Sequence, residues 1–205
     1  MRNTELRFLY ALPEWLRENK ESLPSTNLEE ISEAQLGRMS QLKTPNQVIA
    51  VFKKFETTVP VTKGRLSLVL DAVQDPGNLG TIIRTADWFG ISQIICSPEC
   101  ADMYNSKVVQ ATMGSIARVG IFYTELADWL KNQQPIPIYA TLLEGRDVTK
   151  MNAVGEGLLI IGNESKGIRS DLVRFATEKI TIPRKGKAES LNAAVAAGII
   201  LSYLA

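Results

Sequence analysis

Six short apolar runs, separated mostly by helical patterns, constrain this sequence more than any other feature. They are Leu66–Leu70, Ile94–Cys96, Ala117–Phe122, Ile136–Thr141, Leu158–Gly162 and Ile180–Pro183. Runs that are apolar throughout are typical of strands buried on both faces. Thr124 and Ser170 are placed to cap two of the intervening helices. Strands and helices in this alternation predict an α/β domain built on a parallel sheet that is covered on both sides.

The first part of the chain is organised differently. It mixes charged and apolar residues, with a helix predicted at Pro13–Glu18, a second helix capped by Ser32 and a strand at Val48–Phe52. The stretch TTVPVTKG that follows is polar, interrupted by a proline and ended by a glycine. We therefore divide the chain into residues 1–57, a linker at residues 58–64 and the α/β domain at residues 65–205.

The sequence contains no histidine, and this limits the chemistry that the chain can perform. A Ser-His-Asp triad, a Cys-His pair, an imidazole metal site and a histidine base are all excluded. Cys96 and Cys100 do not form a disulfide framework or match a zinc pair with partners elsewhere. A net charge of +1 leaves any basic surface to a local patch. Because we see neither a signal peptide nor a membrane span, we expect a cytoplasmic protein with no metal and no membrane contact.

Three polar loops follow predicted strands, at the edge where open parallel sheets bind ligands. In the first loop, Asp75 is placed to cap a helix. Gly77 and Gly80 would each destabilise that helix by about 1 kcal/mol relative to alanine, so they indicate the close approach of another backbone or of a phosphate. Arg84 follows about a turn later. The alternative interpretation is an ordinary glycine turn with a surface arginine.

The other two loops surround Glu164 and Ser190. Glu164 lies in the polar stretch GNESKG after a buried strand, where it could face a ligand or merely be a solvated charge in a tight connection. Ser190 is predicted to cap a helix at Leu191–Leu204, which is apolar nearly all round and is therefore predicted to be buried. Capping leaves Asn192 unexplained, since asparagine is a weak helix former in an otherwise apolar segment.

The three loops belong to longer stretches, which read DPGNLGTIIRTADWFG, IIGNESKGI and ITIPRKGKAESLNAAVAAGI. Together these resemble the three motifs of the SpoU-type (TrmH-like) RNA 2'-O-ribose methyltransferases of the SPOUT superfamily. ATMGSIARV, at residues 111–119, resembles a fourth stretch of this family, and the resemblance covers residues 64–205 nearly end to end. It implies a SPOUT-type parallel sheet with a deep C-terminal trefoil knot, and a homodimer whose active sites form where two knots meet.

The resemblance also implies a cofactor, S-adenosyl-L-methionine, bound in a bent conformation in the knot. The residues at the matching positions would hold it largely through backbone groups, and they are Thr141, Leu142, Gly162, Ile182 and Leu191. One departure is Ala194, where many family members carry a serine, so a polar contact from that position is absent.

Five side chains carry the catalytic roles that the resemblance implies: Asn78, Arg84, Glu164, Ser190 and Asn192. Asn78 would organise the Arg84 loop, and Glu164 would anchor the loop of the second motif. Ser190 and Asn192 would place the ribose hydroxyl. Arg84 could act as a base or as an electrostatic stabiliser. Stabilisation of a developing alkoxide, or of a nearby phosphate, is physically easier because a guanidinium is normally always charged.

RNA is the partner that the resemblance implies, and Arg184, Lys185 and Lys187 are predicted to contact its phosphates, as Arg84 could also do. Residues 1–57 resemble the second half of an L30e-like RNA-binding domain, which favours structured rRNA over tRNA. The alternatives are methylation of tRNA, a catalytically silent RNA-binding knotted protein, and a nucleotide-dependent dehydrogenase. The last lacks the G-x-G-x-x-G that should follow Leu66–Leu70.

Overall fold

The computed structural model describes residues 4–23 and 27–205. The chain divides into two compact units, of which the first ends at Glu56 and the second begins at Thr57. Each unit has its own sheet. The two units are therefore described separately.

The smaller unit is a three-stranded sheet with two short helices. Its elements are β1 (Leu6–Ala11), α1 (Pro13–Asn19), β2 (Leu28–Glu30), α2 (Glu33–Met39) and β3 (Val48–Phe52). The strand order is β2-β1-β3, with β2 parallel and β3 antiparallel to β1. Ser32 caps α2 in a capping box with Gln35. The predicted helices, the Ser32 cap and the strand at Val48–Phe52 are confirmed.

The larger unit is a six-stranded parallel sheet with helices between its strands. Its elements are β4 (Leu66–Leu70), α3 (Pro76–Trp88), β5 (Gln93–Cys96), α4 (Ser106–Ala111), β6 (Gly120–Tyr123), α5 (Leu126–Lys131), β7 (Ile138–Asp147), β8 (Gly157–Ile161), α6 (Ser170–Val173), β9 (Glu178–Thr181) and α7 (Ala193–Leu204). The strand order is β6-β5-β4-β8-β7-β9, and every neighbouring pair is parallel. The predicted α/β fold is confirmed.

β4 and β8 form the centre of this sheet, and all five residues of each strand are buried. Val69 and Ile160, which are paired across the two strands, pack in a cluster with buried residues of α5 and α6. Leu68 and Leu159 point to the opposite face, because side chains alternate along a strand, and they are also fully buried. Both faces of the central strands are thus covered, as the continuous apolar runs predicted.

Two strand boundaries differ from the prediction by more than two residues. β6 begins at Gly120 because Ser115–Ala117 forms a 3-10 turn, in which the Ala117 N–H donates to the carbonyl of Gly114 at 3.1 Å. β7 continues six residues beyond its predicted end at Thr141, and both Thr141 and Arg146 pair with Ile180 of β9. The apolar pattern could not show this second pairing, because residues 143–146 are exposed.

Two predicted helix caps in the larger unit are wrong. Thr124 does not cap α5, whose N-cap is Glu125, because the Thr124 N–H continues the sheet by donating to the carbonyl of Cys96 at 3.0 Å. Ser170 is the first residue of α6, and Arg169 is its N-cap because its backbone N–H is held by the carboxylate of Asp71. Long-range hydrogen bonds set the chain direction at both points.

Candidate active site

The two central strands lead into the first and second polar loops. β4 is followed in the chain by its neighbour on one side of the sheet, β5, whereas β8 leads to β9 on the other side. The strand order therefore reverses between β4 and β8, which is where open α/β sheets bind ligands beyond the carboxyl ends of their strands. The topology brings the loops around Asn78 and Glu164 to this point.

α3 begins as the sequence predicted. The Asp75 carboxylate accepts a hydrogen bond from the Asn78 N–H at 2.8 Å, and Pro76 occupies the first turn. Gly80 is needed because α4 packs against it: an added Cβ would lie 2.5 Å from the Cβ of Ala111 and 2.7 Å from the carbonyl oxygen of Val108. Of the two explanations for this glycine, backbone approach is therefore the one that the structure supports.

A chain of side-chain hydrogen bonds joins the three motifs. The Asn192 Nδ2 donates to Asn78 Oδ1 at 2.8 Å. The Asn78 Nδ2 in turn donates to Glu164 Oε1 in a short hydrogen bond. The three residues are far apart in the sequence and come from the starts of α7 and α3 and from the loop after β8. We call this chain of hydrogen bonds the Asn192–Asn78–Glu164 relay.

Asn192, and not Ser190, caps the last helix. The Asn192 Oδ1 accepts hydrogen bonds from the backbone N–H groups of Ala194 at 2.9 Å and Val195 at 3.2 Å. α7 accordingly begins at Ala193, so the predicted start at Leu191 and the predicted cap at Ser190 are wrong. Asn192 is the N-cap of α7 because its amide oxygen accepts from the helix N–H groups while its amide nitrogen donates to Asn78. The Ser190 hydroxyl makes neither contact. Ser190 lies exposed in the preceding segment.

Arg84 lies on the exposed side of α3. Its guanidinium has no hydrogen-bond or ion-pair partner among residues 4–23 and 27–205. Asn78 and Arg84 are six residues apart on α3, so their side chains point about 120° apart around the helix axis. The structure therefore does not place Arg84 in the relay, although both belong to the first motif.

The predicted cofactor residues meet at the carboxyl edge of three neighbouring strands. Thr141 lies opposite Ile180 of β9, Gly162 directly follows β8, and Ile182 directly follows β9. In the strand order β8-β7-β9, these positions therefore lie on or directly after three successive strands. Leu142 is half-buried beside Thr141. Leu191 lies in the segment between β9 and α7 and is 45% exposed.

The loop after β8 is tightly folded. A Cβ on Gly162 would collide with the backbone of Gly167 and Ile168, so only glycine fits there. The Asn163 side chain accepts hydrogen bonds from the N–H groups of Ser165 at 2.9 Å and Lys166 at 3.1 Å. The Asn163 Nδ2 donates to the carbonyl of Ala72 at 2.8 Å, which ties this loop to the end of β4. Sequence reasoning did not select Asn163, although it lies between two residues that it did select.

Sequence reasoning also missed an ion pair between Asp71, at the end of β4, and Arg169. The Asp71 side chain is fully buried, and Arg169 donates to it from Nε at 2.9 Å and from its backbone N–H at 2.8 Å. A charged residue directly after a fully apolar strand was the signal that could have identified Asp71. Nothing in the sequence indicated its partner, 98 residues away.

The last segment before α7 is exposed and basic. Residues 183–190 are all exposed, and they include the three predicted RNA contacts Arg184, Lys185 and Lys187. The Arg184 guanidinium donates to the carbonyl of Ala188 at 3.2 Å. The following helix is buried on one side, as predicted, but its other side is not, since Val195 is 51% exposed and Tyr203 is also exposed. α7 thus has one apolar face that no residue within 4–23 and 27–205 covers.

Charged groups in the larger unit also include an ion pair near the end of α3. Asp87 accepts from Arg118 at 2.7 Å and from the Ser115 hydroxyl at 2.7 Å, and the hydrogen bond from Arg118 lowers the pKa of Asp87 below its ordinary value. This pair connects α3 to the stretch that resembles the fourth motif. Cys96 and Cys100 are free and buried.

Residues 4–23 and 27–205 offer neither a metal site nor a membrane-spanning helix. Within these residues, no three or more acidic or cysteine side chains come together in a way that could hold a metal ion. None of the helices in this part of the chain has both the length and the apolar composition needed to cross a bilayer.

The sequence is similar to proteins of known activity. It is 33% identical over 177 residues to the 23S rRNA (guanosine(2553)-2'-O)-methyltransferase RlmP of Bacillus subtilis, which covers 85% of this chain and 71% of that protein. It is 31% identical over 207 residues to the 23S rRNA (uridine(2479)-2'-O)-methyltransferase of Streptomyces viridochromogenes, covering 93% of this chain and 70% of that protein. Both relatives are thus longer than this chain.

The structure is similar to that of the SpoU methyltransferase AviRb from Streptomyces viridochromogenes in complex with AdoMet. The TM-score is 0.84 at 28% sequence identity, over 98% of this chain and 82% of that chain. An AdoMet-bound rRNA methyltransferase from Sinorhizobium meliloti gives a TM-score of 0.83 at 31% identity, over 97% of this chain and 79% of that chain. The model of the SpoU rRNA methylase family matches residues 65–202. The chain belongs to the SpoU rRNA methylase family.

Proposed function

We propose that this protein is an S-adenosyl-L-methionine-dependent methyltransferase that methylates a ribose 2'-hydroxyl in structured ribosomal RNA. The observation that carries this proposal is the Asn192–Asn78–Glu164 relay, which joins the three family motifs at the point where the strand order reverses. The names of the relatives support the choice of ribosomal RNA, since both are 23S rRNA 2'-O-methyltransferases.

The residues at the carboxyl edge of β7, β8 and β9 fit the cofactor. Thr141, Leu142, Gly162, Ile182 and Leu191 would hold it. They offer backbone groups from three neighbouring strands, together with partly exposed apolar side chains that suit an adenine ring and an aliphatic chain. The cofactor supplies an activated methyl group when bound. The remaining task of the protein is to position the 2'-hydroxyl and to ease the loss of its proton.

The relay limits what each of its members can do. The Asn78 amide is engaged on both sides, and Glu164 is its acceptor, so both serve to hold the first and second motifs together. Ser190 is exposed two residues before the relay begins and is available to the hydroxyl. Arg84 belongs to the first motif and is exposed, and its permanent charge suits an alkoxide or a phosphate better than it suits proton abstraction.

The exposed basic segment supplies the RNA contacts in this proposal. Arg184, Lys185 and Lys187 lie in one exposed stretch directly after the predicted cofactor residue Ile182. Phosphate contacts by such side chains position RNA without reading its sequence. We assign the smaller unit to RNA binding as a partial L30e-like region, and the protein to the cytoplasm, where its two free cysteines would stay reduced. No metal takes part in the proposed reaction.

We further propose that the C-terminal segment forms a trefoil knot and that the protein is a homodimer. The knot is supported by the path of α7, which follows the edge strand β9 but packs against α3 and receives a hydrogen bond from the Val154 N–H at the carbonyl of Leu204. The homodimer is supported by the uncovered apolar face of α7. If the active sites form at such an interface, groups of the second subunit would come within reach of the Arg84 guanidinium.

Methyl transfer to purified RNA tests the proposed function, and Arg84→Lys tests the role of the guanidinium. The substrate is total RNA from a strain that lacks the gene, and mass spectrometry maps the 2'-O-methyl group. We expect one ribosomal RNA nucleotide to be methylated by the wild type, and a single-turnover rate about a hundredfold lower for Arg84→Lys, equivalent to about 2.7 kcal/mol. An ammonium cannot replace the paired donors of a guanidinium.

The control for Arg84→Lys is Arg65→Lys, an exposed arginine just before β4, at the opposite end of that strand from the site. Arg65→Lys should retain the wild-type rate, and both variants should unfold at the wild-type temperature. If only transfer RNA is methylated, the proposal of a ribosomal RNA substrate is wrong and the alternative substrate, transfer RNA, is correct. Cofactor binding without transfer to any RNA would contradict the proposed activity.

A further inference from the structure

We propose that the ion pair between the buried Asp71 carboxylate and Arg169 is a positioning element for Glu164, which fixes the loop of the second motif against the end of β4. This inference rests on the proposed methyltransferase function. Neither residue belongs to the catalytic or cofactor-binding positions considered above. Both act through contacts within the chain and would not touch RNA or cofactor.

Asp71 commits its whole carboxylate to one residue. Its Oδ1 accepts from the Arg169 Nε at 2.9 Å, and its Oδ2 accepts from the Arg169 backbone N–H at 2.8 Å. The Asp71 side chain is fully buried, whereas that of Arg169 is 40% exposed. A buried carboxylate is costly unless it is paired and hydrogen-bonded, so this site strongly favours the conformation in which Arg169 is held in place.

A second tie holds the other end of the same loop. The Asn163 Nδ2 donates to the carbonyl of Ala72, the residue next to Asp71. Ala72 itself is fixed in a left-handed conformation with φ of 54°, and its N–H donates to the Ser97 hydroxyl at 3.0 Å. Two consecutive residues after β4 therefore hold both ends of the loop, at Asn163 and Arg169, and Glu164 lies between these ties.

This arrangement sets the distance between Glu164 and Asn78. Asn78 follows Asp71 and Ala72 after only a few residues, because all three lie between the end of β4 and the first turn of α3. The loop that carries Glu164 is thus fastened to the same short segment from which Asn78 projects. Release of Arg169 would let the Glu164 carboxylate move relative to its donor, and the relay to Asn192 would lose its end point.

A double-mutant cycle separates positioning from a merely structural role. Asp71→Asn removes the charge but keeps the size and one acceptor, and it leaves the partly exposed Arg169 able to reach water. We expect the single-turnover methylation rate, at saturating S-adenosyl-L-methionine and RNA, to fall about tenfold or more in the wild-type background. In a Glu164→Ala background, the same substitution should lower the rate by less than about twofold, because the acceptor through which it acts is already absent.

The matched control is Asp87→Asn, which breaks the other Asp–Arg pair of this unit, at Arg118 near the far end of α3. It should leave the rate within about twofold in either background. Equal losses from Asp71→Asn in the two backgrounds would overturn the proposal, since they would show an effect that does not pass through Glu164. Asp71→Asn should lower the unfolding temperature by the same amount in both backgrounds.

Hydrogen exchange followed by mass spectrometry tests the same proposal without enzymatic activity. Amides of residues 163–168 should exchange at least about tenfold faster in Asp71→Asn and in Arg169→Lys than in the wild type. In Asp87→Asn, these amides should exchange at the wild-type rate. Arg169→Lys keeps the charge and the backbone donor, so it remains informative if Asp71→Asn does not fold. Unchanged exchange in a folded variant would reject the positioning role. A wild type without methyltransferase activity but with the expected exchange pattern would reject only the proposed function.

Discussion

Asn192 serves the fold and the site with two different ends of one amide. Its Oδ1 caps α7, and its Nδ2 donates to Asn78. A single substitution to alanine removes both contacts and mixes their consequences. Because the donor and the acceptor belong to different atoms, substitutions that keep one and remove the other can separate folding from catalysis at this position.

Asn192→Asp should keep the fold and lose the reaction. A carboxylate still accepts from the first N–H groups of α7 and is favoured at a helix N-terminus, so the unfolding temperature should remain near that of the wild type. The variant cannot donate to Asn78, and the Asn78 Oδ1 would face a carboxylate while its Nδ2 stays on Glu164. We expect the single-turnover rate to fall about a hundredfold, with cofactor affinity measured by calorimetry nearly unchanged.

Asn192→Ala is the matched comparison for this prediction. It should show a similar loss of rate and, in addition, a stability lower by about 1 kcal/mol from the lost cap. If Asn192→Asp keeps the wild-type rate within a few-fold, the donor to Asn78 has no catalytic consequence and the relay is only a structural contact.

At the scale of the elements, local patterns predicted what local forces determine. β4 has its predicted bounds, and Asp75 caps α3 as expected, because burial and capping depend on residues that are close in sequence. Ser190 and Thr124 satisfied the same capping pattern but do not cap. The Thr124 backbone is instead fixed by its hydrogen bond to the carbonyl of Cys96. The start of α7 is set by Asn192, which also donates to Asn78, 114 residues away.

The same distinction applies to the site. The resemblance to a family named Asn78, Glu164 and Asn192, and the structure joins them in one relay. It could not name Asp71 and Arg169, because a contact between residues 98 positions apart leaves no pattern in a single sequence. The catalytic and cofactor-binding roles of the individual residues remain predictions.

The ion pair that ends α3 gives the protein an acid-sensitive contact. The hydrogen bond from Arg118 lowers the pKa of Asp87 in the folded protein, so the unfolded state binds the proton more readily. The contribution of this carboxylate to stability is therefore present above its ordinary pKa of about 3.9 and is lost as the pH falls through the lower folded value. Asp87→Asn should lower the unfolding temperature at pH 7, and the difference from the wild type should shrink as the pH falls below about 3.9.

Thermal unfolding at pH 7, 5 and 3 measures this dependence, with Glu144→Gln as the control at an exposed carboxylate. The control should show no deficit at pH 7. A deficit of Asp87→Asn that stays constant from pH 7 to pH 3 would mean that the pair stabilises the protein through packing and not through its charge.

At the scale of the whole domain, the path of the chain explains why the third motif lies over the first two. β9 is at the edge of the sheet, and β7 and β8 separate it from β4. The segment between β9 and α7 must therefore cross about three strand spacings, or roughly 14 Å, to bring Asn192 to Asn78. This crossing joins the third motif to the first through the hydrogen bond from Asn192 to Asn78.

The exposed apolar face of α7 is the surface through which we expect two copies of this chain to pair. Val195 and Tyr203 expose apolar surface on a helix whose opposite side packs in the core. If two copies of this chain pair through that face, Val195→Glu places a charge in an apolar interface and should shift the protein to a monomer at micromolar concentration, as measured by light scattering. Val59→Glu, which adds the same charge at a valine that is 77% exposed in the segment before β4, should leave the dimer intact. Because α7 keeps its buried side in both variants, both should unfold cooperatively. A wild type that is already monomeric at that concentration, or a Val195→Glu variant that remains dimeric, would show that this face of α7 is not where two copies meet.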